Sequence, residues 1–274
     1  MLQTIEQALD RAREHIAPED ARALMRHVLG CDAAHLIAYA GAGLDEPRLR
    51  AFNALVDRRI TGEPVAYLTG VREFYGHRLK VTPAVLIPRP ETELLVEAGL
   101  EHAAPDAPCR VLDLATGSGC VAIAIAAERA AARVTASDRA PEAIEIAREN
   151  ARALRVANVE FRTGDWFDAV RGERFAVIVA NPPYVAAGDA HLAEGDLRFE
   201  PRAALVGGAD GLDCIRRIVG DAPRHLERGG WLAIEHGYDQ AAACRQLLKA
   251  AGFSSVASRR DIAGHERVTA ARHA

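Results

Sequence analysis

The sequence lacks the cysteine and histidine patterns of a disulfide-built or metal-built protein. Its five cysteines include no C-x-x-C pair and, being odd in number, cannot all be paired, so we expect reduced, mostly packed thiols in a cytosolic protein. The ten histidines are scattered without an H-E-x-x-H pattern, and we expect no metal. The cysteines are Cys31, Cys109, Cys120, Cys214 and Cys244.

Long apolar runs and a strong charge excess are missing too. No run approaches the ~20 residues that a membrane span requires, and Glu6 and Asp10 lie where a signal peptide would be apolar. We therefore expect a soluble, cytoplasmic protein that does not contact membranes. The 34 basic and 38 acidic residues give a net charge of −4, which argues against a protein that holds nucleic acid mainly by charge.

A local basic patch stays open as an alternative. Four arginines cluster on one predicted helix, where such side chains usually form a solvated face. They are Arg48, Arg50, Arg58 and Arg59.

With 274 residues and 49% hydrophobic content, the chain can form one large or two modest domains. From residue 4 to about 70 the pattern is helical: Thr4 and Gln7 form a capping box, and Pro18 opens a helix that Gly30 closes. Asp32 and Asp45 are further predicted helix caps. The last long helix has an apolar face made of Leu49, Phe52, Leu55, Val56 and Ile60. This part predicts a small helical bundle.

Beyond the helical part, the pattern of turn residues and apolar runs changes. Residues 74–90 predict a hairpin-like connector with Gly76-His77 as its turn and three prolines that interrupt any helix. Strands then alternate with helices, including one from Pro141 to Leu154, which predicts a mostly parallel, doubly wound sheet. The segment from Val185 to Asp210 has little periodic pattern, and loops of that length are usually functional or disordered. We expect it to grip a substrate.

A strand, a glycine-rich turn and a helix succeed one another from Arg110 to Ala130. The turn is Ala115-Thr116-Gly117-Ser118-Gly119, and this arrangement lets backbone N–H groups approach a nucleotide-type ligand closely. A second strand, Arg133–Asp138, ends in a carboxylate near the ~20-residue spacing of an adenosine-type fingerprint. Asp138 could accept hydrogen bonds from both ribose hydroxyls. Taken singly, Asp113 as a turn-former and Asp138 as a helix cap are equally good interpretations.

The turn also fits the pattern of NAD enzymes, because Gly117 to Ala122 matches G-x-G-x-x-G/A. Hydride transfer from an alcohol needs a positioned acid or base, and no His, Lys or Tyr offers itself at a recognisable spacing after the fourth strand. Asp113, just before the turn, better suits a cationic ligand such as a sulfonium amino acid, through water or backbone. An NAD-dependent oxidoreductase is therefore the weaker alternative.

The tetrapeptide Asn181-Pro182-Pro183-Tyr184 follows the apolar run Phe175–Ala180, which predicts a buried strand. In open α/β sheets, ligands bind at that strand end. Prolines have no N–H and hold the preceding residue extended, so Asn181 and Pro182 present carbonyl oxygens from a stiff backbone. Such acceptors, with the flat face of Tyr184, suit a planar amide or amino group. The alternative is a proline turn that merely ends a strand.

Together these motifs resemble the class I S-adenosylmethionine-dependent methyltransferases, and more narrowly the glutamine methyltransferases of peptide chain release factors, the HemK or PrmC family. Pro88-Arg89-Pro90-Glu91-Thr92-Glu93 is the most discriminating segment, and Ala115 departs from the glycine usual in the family. The likeness covers most of the chain. Its other motifs are Phe74-Tyr75-Gly76, Asp113 to Gly119, Asp138, Gly164-Asp165-Trp166, Asn181 to Tyr184, Arg198-Phe199-Glu200-Pro201, Glu235-His236-Gly237 and Asp261 to Val268.

The resemblance implies an α/β fold with a doubly wound, mostly parallel seven-stranded methyltransferase sheet preceded by a small all-α helical domain. The implied domains are a helical substrate-recognition domain at residues 1–72, the connector at 73–90 and the methyltransferase domain at 91–274. S-adenosylmethionine is the implied cofactor. The implied partners are class I release factors, whose Gly-Gly-Gln loop would enter the pocket, and we expect no direct nucleic-acid binding.

The resemblance also assigns roles to residues. Trp166 is expected to pack against the adenine ring with Asp165 near its exocyclic amine, and Asn181, Pro182 and Tyr184 are the expected catalytic residues. Apart from the resemblance, Glu235-His236 lies at the end of the fifth predicted strand, on the same functional edge, and a buried, hydrogen-bonded pair is the preferred interpretation of it. The expected cofactor-binding residues are Asp113, Ala115, Thr116, Gly117, Ser118, Gly119, Asp138, Asp165, Trp166 and Asn181, and the expected substrate-binding residues are Asn181, Pro182, Pro183 and Tyr184.

The chemistry of the tetrapeptide can be argued beside the resemblance. An amide nitrogen is a poor nucleophile because its lone pair is delocalised, so holding it in place is the main task. Hydrogen bonds to the Asn181 side-chain oxygen and the Pro182 carbonyl strengthen as positive charge builds on that nitrogen. Positioning could supply several of the ~7–11 kcal/mol that aligned reactions reach. Methylation of adenine or guanine amino groups is the rival function, which would call for a basic groove or nucleic-acid-binding domain.

Overall fold

The computed structural model describes residues 2–274. The described chain divides into two compact units. The helical unit comprises residues 2–71 together with Ala193–Phe199, and the sheet unit comprises Arg72–Leu192 and Glu200–Ala274. The functional boundaries expected at residues 72 and 90 stay predictions.

The helices of the helical unit begin and end where local sequence signals place them. Thr4 and Gln7 form the predicted capping box, Pro18 opens the second helix, and Gly30 closes it with a φ of 64°. The Asp32 and Asp45 carboxylates accept hydrogen bonds from the backbone N–H groups of residues 35 and 48. These capping predictions are confirmed. The helices are α1 Ile5–Arg13, α2 Pro18–Leu29, α3 Ala33–Ala38, α4 Glu46–Ile60 and α5 Val65–Thr69.

The apolar face of α4 is shorter than predicted. Phe52 and Val56 are buried in the core of the helical unit, and Leu49 and Leu55 pack at its margin. Ile60, however, is 50% exposed, so its predicted place in the buried face is wrong. The reason is that Ile60 is the last residue of α4, at a helix end that lies beyond the core of the helical unit.

The arginines of the possible basic patch are all paired with carboxylates. Arg59 is the least exposed of them, and its guanidinium contacts Asp20 of α2 at 2.7 Å and Asp196 at 3.0 Å. These pairings leave no concentrated positive charge on this face of α4. The other pairs are Arg48 with Asp45, Arg50 with Glu46, and Arg58 with Glu63.

A two-stranded hairpin, β1 Val71–Phe74 and β2 His77–Lys80, overlaps the first part of the predicted connector but begins before its predicted start. Its turn is Tyr75-Gly76 rather than Gly76-His77, so the predicted turn is wrong by one residue. Both turn residues have positive φ, 49° for Tyr75 and 73° for Gly76. That backbone matches the right-handed twist of a two-residue hairpin.

The sheet unit alternates strands with helices, as predicted. The Phe175–Ala180, Arg110–Leu114 and Arg133–Asp138 strands have their predicted bounds, whereas the two predicted helices end one or two residues early. The elements are α6 Glu93–His102, β3 Arg110–Leu114, α7 Cys120–Glu128, β4 Arg133–Asp138, α8 Pro141–Ala153, β5 Val159–Thr163, β6 Phe175–Ala180, α9 Arg202–Leu205, α10 Asp213–His225, β7 Leu226–Glu235, α11 Ala241–Ala250, β8 Ser254–Arg260 and β9 Glu266–Arg272.

Over the described residues, the main sheet has seven strands in the order β5-β4-β3-β6-β7-β9-β8. All run parallel except β9, which is antiparallel to β7 and β8. The chain winds outward from β3 in one direction and from β6 in the other, so the two strands flank the switch point where doubly wound folds bind ligands. The predicted fold class is confirmed.

Side chains of the central strands alternate between two buried cores. Val111 of β3 and Val177 of β6 pack on one side with α6 and α7, while Leu112 and Ile178 pack on the other with α10 and α11. A parallel strand covered on both faces is apolar throughout, which is why Phe175–Ala180 shows no polar alternation. In β3 and β6, polar residues occur only near the strand ends, at Arg110 and Asp113 of β3.

The long segment after Tyr184 is built from short helical turns rather than an open loop. Ala190–Ala193 and Gly195–Phe199 form 3-10 turns, and α9 follows. Its residues Ala193–Phe199 belong to the helical unit, where Asp196 contacts Arg59 and the Arg198 guanidinium donates to the Thr61 carbonyl. Within residues 2–274, no helix has both the length and the apolar character needed to cross a membrane.

Candidate functional site

The carboxyl ends of β3 and β6 open into a cavity of the sheet unit. The cavity, counted together with the solvent space at its open mouth, encloses about 1110 Å³. Most of the predicted site residues line this one cavity. They are Asp113, Ala115, Thr116, Gly117, Ser118, Asp138, Asp165, Trp166, Asn181 and Pro183.

Three predicted site residues do not line the cavity. Gly119 has a φ of 82°, and a Cβ there would lie 3.0 Å from the Cβ of Ala147, so this glycine lets the turn pack against α8. Pro182 is buried. Tyr184 packs against the core, and its hydroxyl donates to Glu235 Oε1 at 3.3 Å.

The Asp113 side chain holds the glycine-rich turn through hydrogen bonds. Its Oδ2 accepts hydrogen bonds from the Thr116 hydroxyl at 2.6 Å and from the Ala122 N–H at 3.2 Å. Burial raises the pKa of Asp113 to about 7, against the lowering effect of those two hydrogen bonds. The carboxyl therefore ties the end of β3 to the turn and to the first turn of α7, which agrees with the interpretation of Asp113 as a turn-former.

Asp138 contacts the same turn from the neighbouring strand. Its Oδ2 accepts from the Gly117 N–H at 3.0 Å, and its Oδ1 accepts from the Ala140 N–H at 2.9 Å. Each carboxylate oxygen can accept more than one hydrogen bond, so the side chain both shapes the turn and keeps acceptor capacity at the cavity wall. The Asp138 side chain is thus held in a single orientation beside Gly117.

Asp165 and Trp166 follow β5 and line the cavity. The Asp165 Oδ2 contacts the Arg217 guanidinium of α10 at 2.7 Å, which fixes the carboxylate. Trp166 has a φ of 49°, a left-handed conformation that is uncommon for a bulky side chain. This backbone brings the indole to the cavity edge rather than continuing the strand.

Asn181 is held by a residue far away in the sequence. Its Nδ2 donates to the Thr92 hydroxyl at 3.2 Å, and Asn181 and Thr92 both line the cavity. With the amino end of the amide engaged, the carbonyl oxygen Oδ1 is the end that can accept a hydrogen bond from a ligand.

Glu235 and His236 are both buried, but they bond to different partners rather than to each other. The ring of His236 contacts the Gly237 carbonyl at 2.9 Å and the Thr269 hydroxyl at 2.8 Å. Glu235 Oε2 is buried and finds no hydrogen-bond partner among residues 2–274. Burial raises the pKa of Glu235 to about 7.

The sequence did not single out Thr92, Arg89 or Glu200 as members of the site. The Arg89 guanidinium lines the cavity and contacts both carboxylate oxygens of Glu200, at 2.7 and 2.8 Å. All three residues lie in motifs that carried the family resemblance, which was the available signal. Their contacts join positions 89 to 111 residues apart, which no local pattern specifies.

Comparison with known proteins agrees with this architecture. Residues 1–70 match the family described as the PrmC N-terminal domain, and residues 90–196 match the family described as the methyltransferase small domain. The fold resembles that of the T. thermophilus 16S rRNA N2 G1207 methyltransferase, solved in complex with AdoMet and guanosine. That likeness has a TM-score of 0.56 at 20% identity and covers 74% of this chain and 50% of the other.

Two curated relatives are more similar in sequence. The release factor glutamine methyltransferase of Xylella fastidiosa is 48% identical over 264 residues, covering 96% of each chain. That of Burkholderia pseudomallei is 52% identical over 259 residues, covering 92% of this chain and 91% of the other. On this identity and coverage, the chain belongs to the release factor glutamine methyltransferase family.

Proposed function

We propose that this protein transfers a methyl group from S-adenosylmethionine to the side-chain amide nitrogen N5 of the glutamine in the Gly-Gly-Gln motif of class I peptide chain release factors. The observation that carries the proposal is the hydrogen bonding of the Asn181 side-chain amide. Its Nδ2 is occupied by Thr92, so Oδ1 is left as a hydrogen-bond acceptor in a cavity shared with the glycine-rich turn. Membership of the family supports the same activity.

The cavity residues fit the proposed cofactor. Gly117 has a φ of 55° with open space where a Cβ would stand, so a ligand can approach its backbone. The Ser118 hydroxyl is buried at the cavity wall, and no partner for it occurs in the described chain. Asp138 would accept from ribose hydroxyls, and Trp166 would pack against the adenine ring with Asp165 beside it. When bound, S-adenosylmethionine supplies a methyl group on a positively charged sulfur.

The residues after β6 would hold the substrate. Asn181 Oδ1 would accept a hydrogen bond from the glutamine –NH2, and Pro183 lies in the same cavity lining. The second proposed acceptor is the carbonyl oxygen of Pro182, a residue that does not itself line the cavity. Tyr184 would support this segment from the core, where its hydroxyl donates to Glu235. These acceptors restrict the orientation of the nitrogen, which brings the two reactants into line. They interact more strongly as the nitrogen gains positive charge, so they stabilise the transition state more than the ground state.

A methylation assay tests this function directly. We expect the purified protein, incubated with S-adenosylmethionine and a class I release factor, to add the mass of one methyl group to the peptide containing Gly-Gly-Gln. A release factor in which that glutamine is replaced serves as the control and should gain no mass. A methyl group found elsewhere, or none on the intact release factor, would contradict the proposal.

Asn181→Ala tests the role of the acceptor. We expect the variant to keep its melting temperature and most of its cofactor affinity but to lose turnover by about 10²–10³-fold, as when one group that stabilises transition-state charge is removed. Calorimetry with S-adenosylmethionine and single-turnover kinetics separate binding from chemistry. Turnover at the wild-type rate would refute the assigned role of Asn181.

A further inference from the structure

We propose that Gln240, Gly207 and Gly211 form a support cluster that fixes the backbone of the Asn181–Tyr184 tetrapeptide at the cavity. None of these three residues lines the cavity, so they are positioning residues that act on the substrate only through the tetrapeptide. The inference rests on the proposed function and deepens it, because it concerns how the proposed acceptors of the same site are held in place.

The tetrapeptide needs support from outside because its own backbone has few hydrogen-bond donors. Two of its four residues are prolines, which have no N–H group. It also lies beyond β6, whose pairing with β3 and β7 stops at Ala180. The positions of the Asn181 side chain and the Pro182 carbonyl therefore depend on contacts made further along the chain.

The chain directly after the tetrapeptide pairs with the segment that follows α9. The Val185 N–H donates to the Leu205 carbonyl at 2.9 Å, and the Val185 carbonyl accepts from the Gly207 N–H at 2.9 Å. Val185 and Val206 thus form a parallel bridge, and Val206 lines the cavity. The pairing places Gly207 beside the tetrapeptide.

Two glycines lie against the last carbonyl groups of the tetrapeptide. A Cβ at Gly207 would lie 2.4 Å from the Pro183 oxygen, and a Cβ at Gly211 would lie 2.2 Å from the Tyr184 oxygen. Both distances are too short for a real Cβ, so only glycine permits this close approach. Gly211 also has a φ of 76°, whereas Gly207 does not have a positive φ. Gly207 is therefore the position that tests the close approach alone.

Gln240 completes the support cluster by joining two backbone groups. Its Nε2 donates to the Tyr184 carbonyl at 3.0 Å, and its Oε1 accepts from the Gly237 N–H at 2.9 Å. Gly237 follows the carboxyl end of β7, the strand next to β6, so the amide ties the tetrapeptide to the edge of the sheet. The Tyr184 hydroxyl donates separately to Glu235 at 3.3 Å. Both the backbone and the side chain of Tyr184 are therefore held.

Holding Tyr184 also restricts the residues before it. The ring of a proline locks its φ, and a residue that precedes a proline is kept extended. A displacement of Tyr184 is therefore transmitted along this stiff segment to Asn181 and the Pro182 carbonyl. Because a misplacement of about 1 Å can reduce a rate by about 10²-fold, the support cluster should control turnover without touching the substrate.

Gln240→Glu tests the donor of the support cluster. The variant has nearly the same shape and keeps an oxygen that accepts from the Gly237 N–H, but it places a carboxylate oxygen against the Tyr184 carbonyl. We expect kcat at saturating substrate to fall by about 10–10²-fold. The calorimetric Kd for S-adenosylmethionine should change little, because the glycine-rich turn and Asp138 follow other strands. A wild-type kcat in this variant would overturn the proposal.

Asn158→Asp is the matched control, because it makes the same exchange of an amide for a carboxylate away from the cavity. The Asn158 amide donates to the carbonyls of Ala126, Arg129 and Ala132. We expect this variant to lose melting temperature as Gln240→Glu does but to keep its kcat. An equal loss of kcat in both variants would attribute the effect to general stability and would also overturn the proposal.

Gly207→Ala tests the close approach independently. Its methyl group must displace the Pro183 carbonyl, so we expect kcat to fall at least as far as in Gln240→Glu. Gly220→Ala is the control, since Gly220 lies within α10 with open space where a Cβ would stand, and it should leave kcat unchanged. If Gly207→Ala folds and keeps the wild-type kcat, the support cluster is wrong.

Hydrogen exchange, measured without a release factor, separates this inference from the proposed function. The Val185 N–H should exchange faster in Gln240→Glu than in the wild type, while the N–H groups of β3 should exchange at the same rate in both. If the wild type does not methylate a release factor but this difference appears, the function is wrong and the support cluster stands. If the wild type methylates it and Gln240→Glu shows wild-type exchange and kcat, the support cluster is wrong.

Discussion

At the scale of single residues, Ala115 stands where the resembled family usually has glycine, and the structure shows the backbone conformation that this position requires. Its φ is 59°, in the left-handed region. An alanine in that region costs roughly 1–2 kcal/mol. The strained residue lies in the turn that lines the cavity. The turn keeps this conformation because Asp113 and Asp138 accept hydrogen bonds from its residues Thr116 and Gly117.

Ala115→Gly should therefore stabilise the protein. The relieved strain of roughly 1–2 kcal/mol exceeds the added unfolded-state entropy of ~0.4–1 kcal/mol, so we expect a net gain of about 0.5–1 kcal/mol. The midpoint of urea unfolding measures it. Ala51→Gly, at an exposed position within α4, should instead destabilise by ~1 kcal/mol. A loss of stability in Ala115→Gly would show that the left-handed alanine is not strained.

At the scale of elements, Asn150 joins three parts of the sheet unit. This buried residue of α8 donates to the carbonyls of Lys80 in β2 and Ser118 in the glycine-rich turn, at 3.0 and 2.9 Å. Its Oδ1 accepts from the Lys80 N–H at 2.6 Å. One side chain thus fixes the hairpin and the cavity turn to the same helix.

Asn150→Ala should affect both stability and cofactor binding. Leaving buried backbone groups without partners costs ~1–3 kcal/mol, and the freed Ser118 carbonyl loosens the turn. We expect a lower melting temperature together with at least fivefold weaker binding of S-adenosylmethionine by calorimetry.

Asn158→Ala is the control for that loss. Asn158 also donates to buried carbonyls, those of Ala126, Arg129 and Ala132, but it does not line the cavity. We expect it to lower stability by a similar amount and to leave cofactor affinity unchanged. If both variants weakened the cofactor equally, Asn150 would have no specific role in the turn.

Element bounds were predictable where a local signal exists. Helix starts followed their caps, and the strands Arg110–Leu114 and Phe175–Ala180 followed their apolar runs, because capping and burial are written in neighbouring residues. Helix ends were predicted one or two residues late because no glycine or proline marks them. The hairpin turn was misplaced because Tyr75, which is not a typical turn residue, adopts positive φ.

At the scale of the whole molecule, the chain leaves the sheet unit after Leu192 and returns at Glu200, and the intervening residues belong to the helical unit. Two contacts anchor that excursion: Arg59 with Asp196, and Arg198 with the Thr61 carbonyl. Gly62 permits the second contact, because a Cβ there would collide with the Arg198 guanidinium.

Arg59→Met should loosen this segment while keeping the apolar stem of the side chain. Losing the contacts to Asp20 and Asp196 raises the population of locally opened states, which proteases cleave. We expect trypsin to cut after Arg198 several-fold faster, as followed by mass spectrometry. Arg50→Met, which removes an exposed pair with Glu46 of little energetic value, should not change that rate. An unchanged rate in Arg59→Met would mean that other contacts hold the segment.

The sequence by itself determined the fold class, the caps of several helices, the strands at the centre of the sheet and ten of the residues that line the cavity. These depend on short-range rules: capping, periodicity and the motifs that end buried strands. Only the tertiary structure decided which partners those residues have. The Asp113 carboxylate accepts from the Ala122 N–H beyond the turn, and the Asn181 amide donates to Thr92, 89 positions away. Glu235 is buried with one oxygen that has no hydrogen-bond partner in the described chain. Such contacts form when distant segments pack together, and no local pattern specifies the orientation of one amide among them.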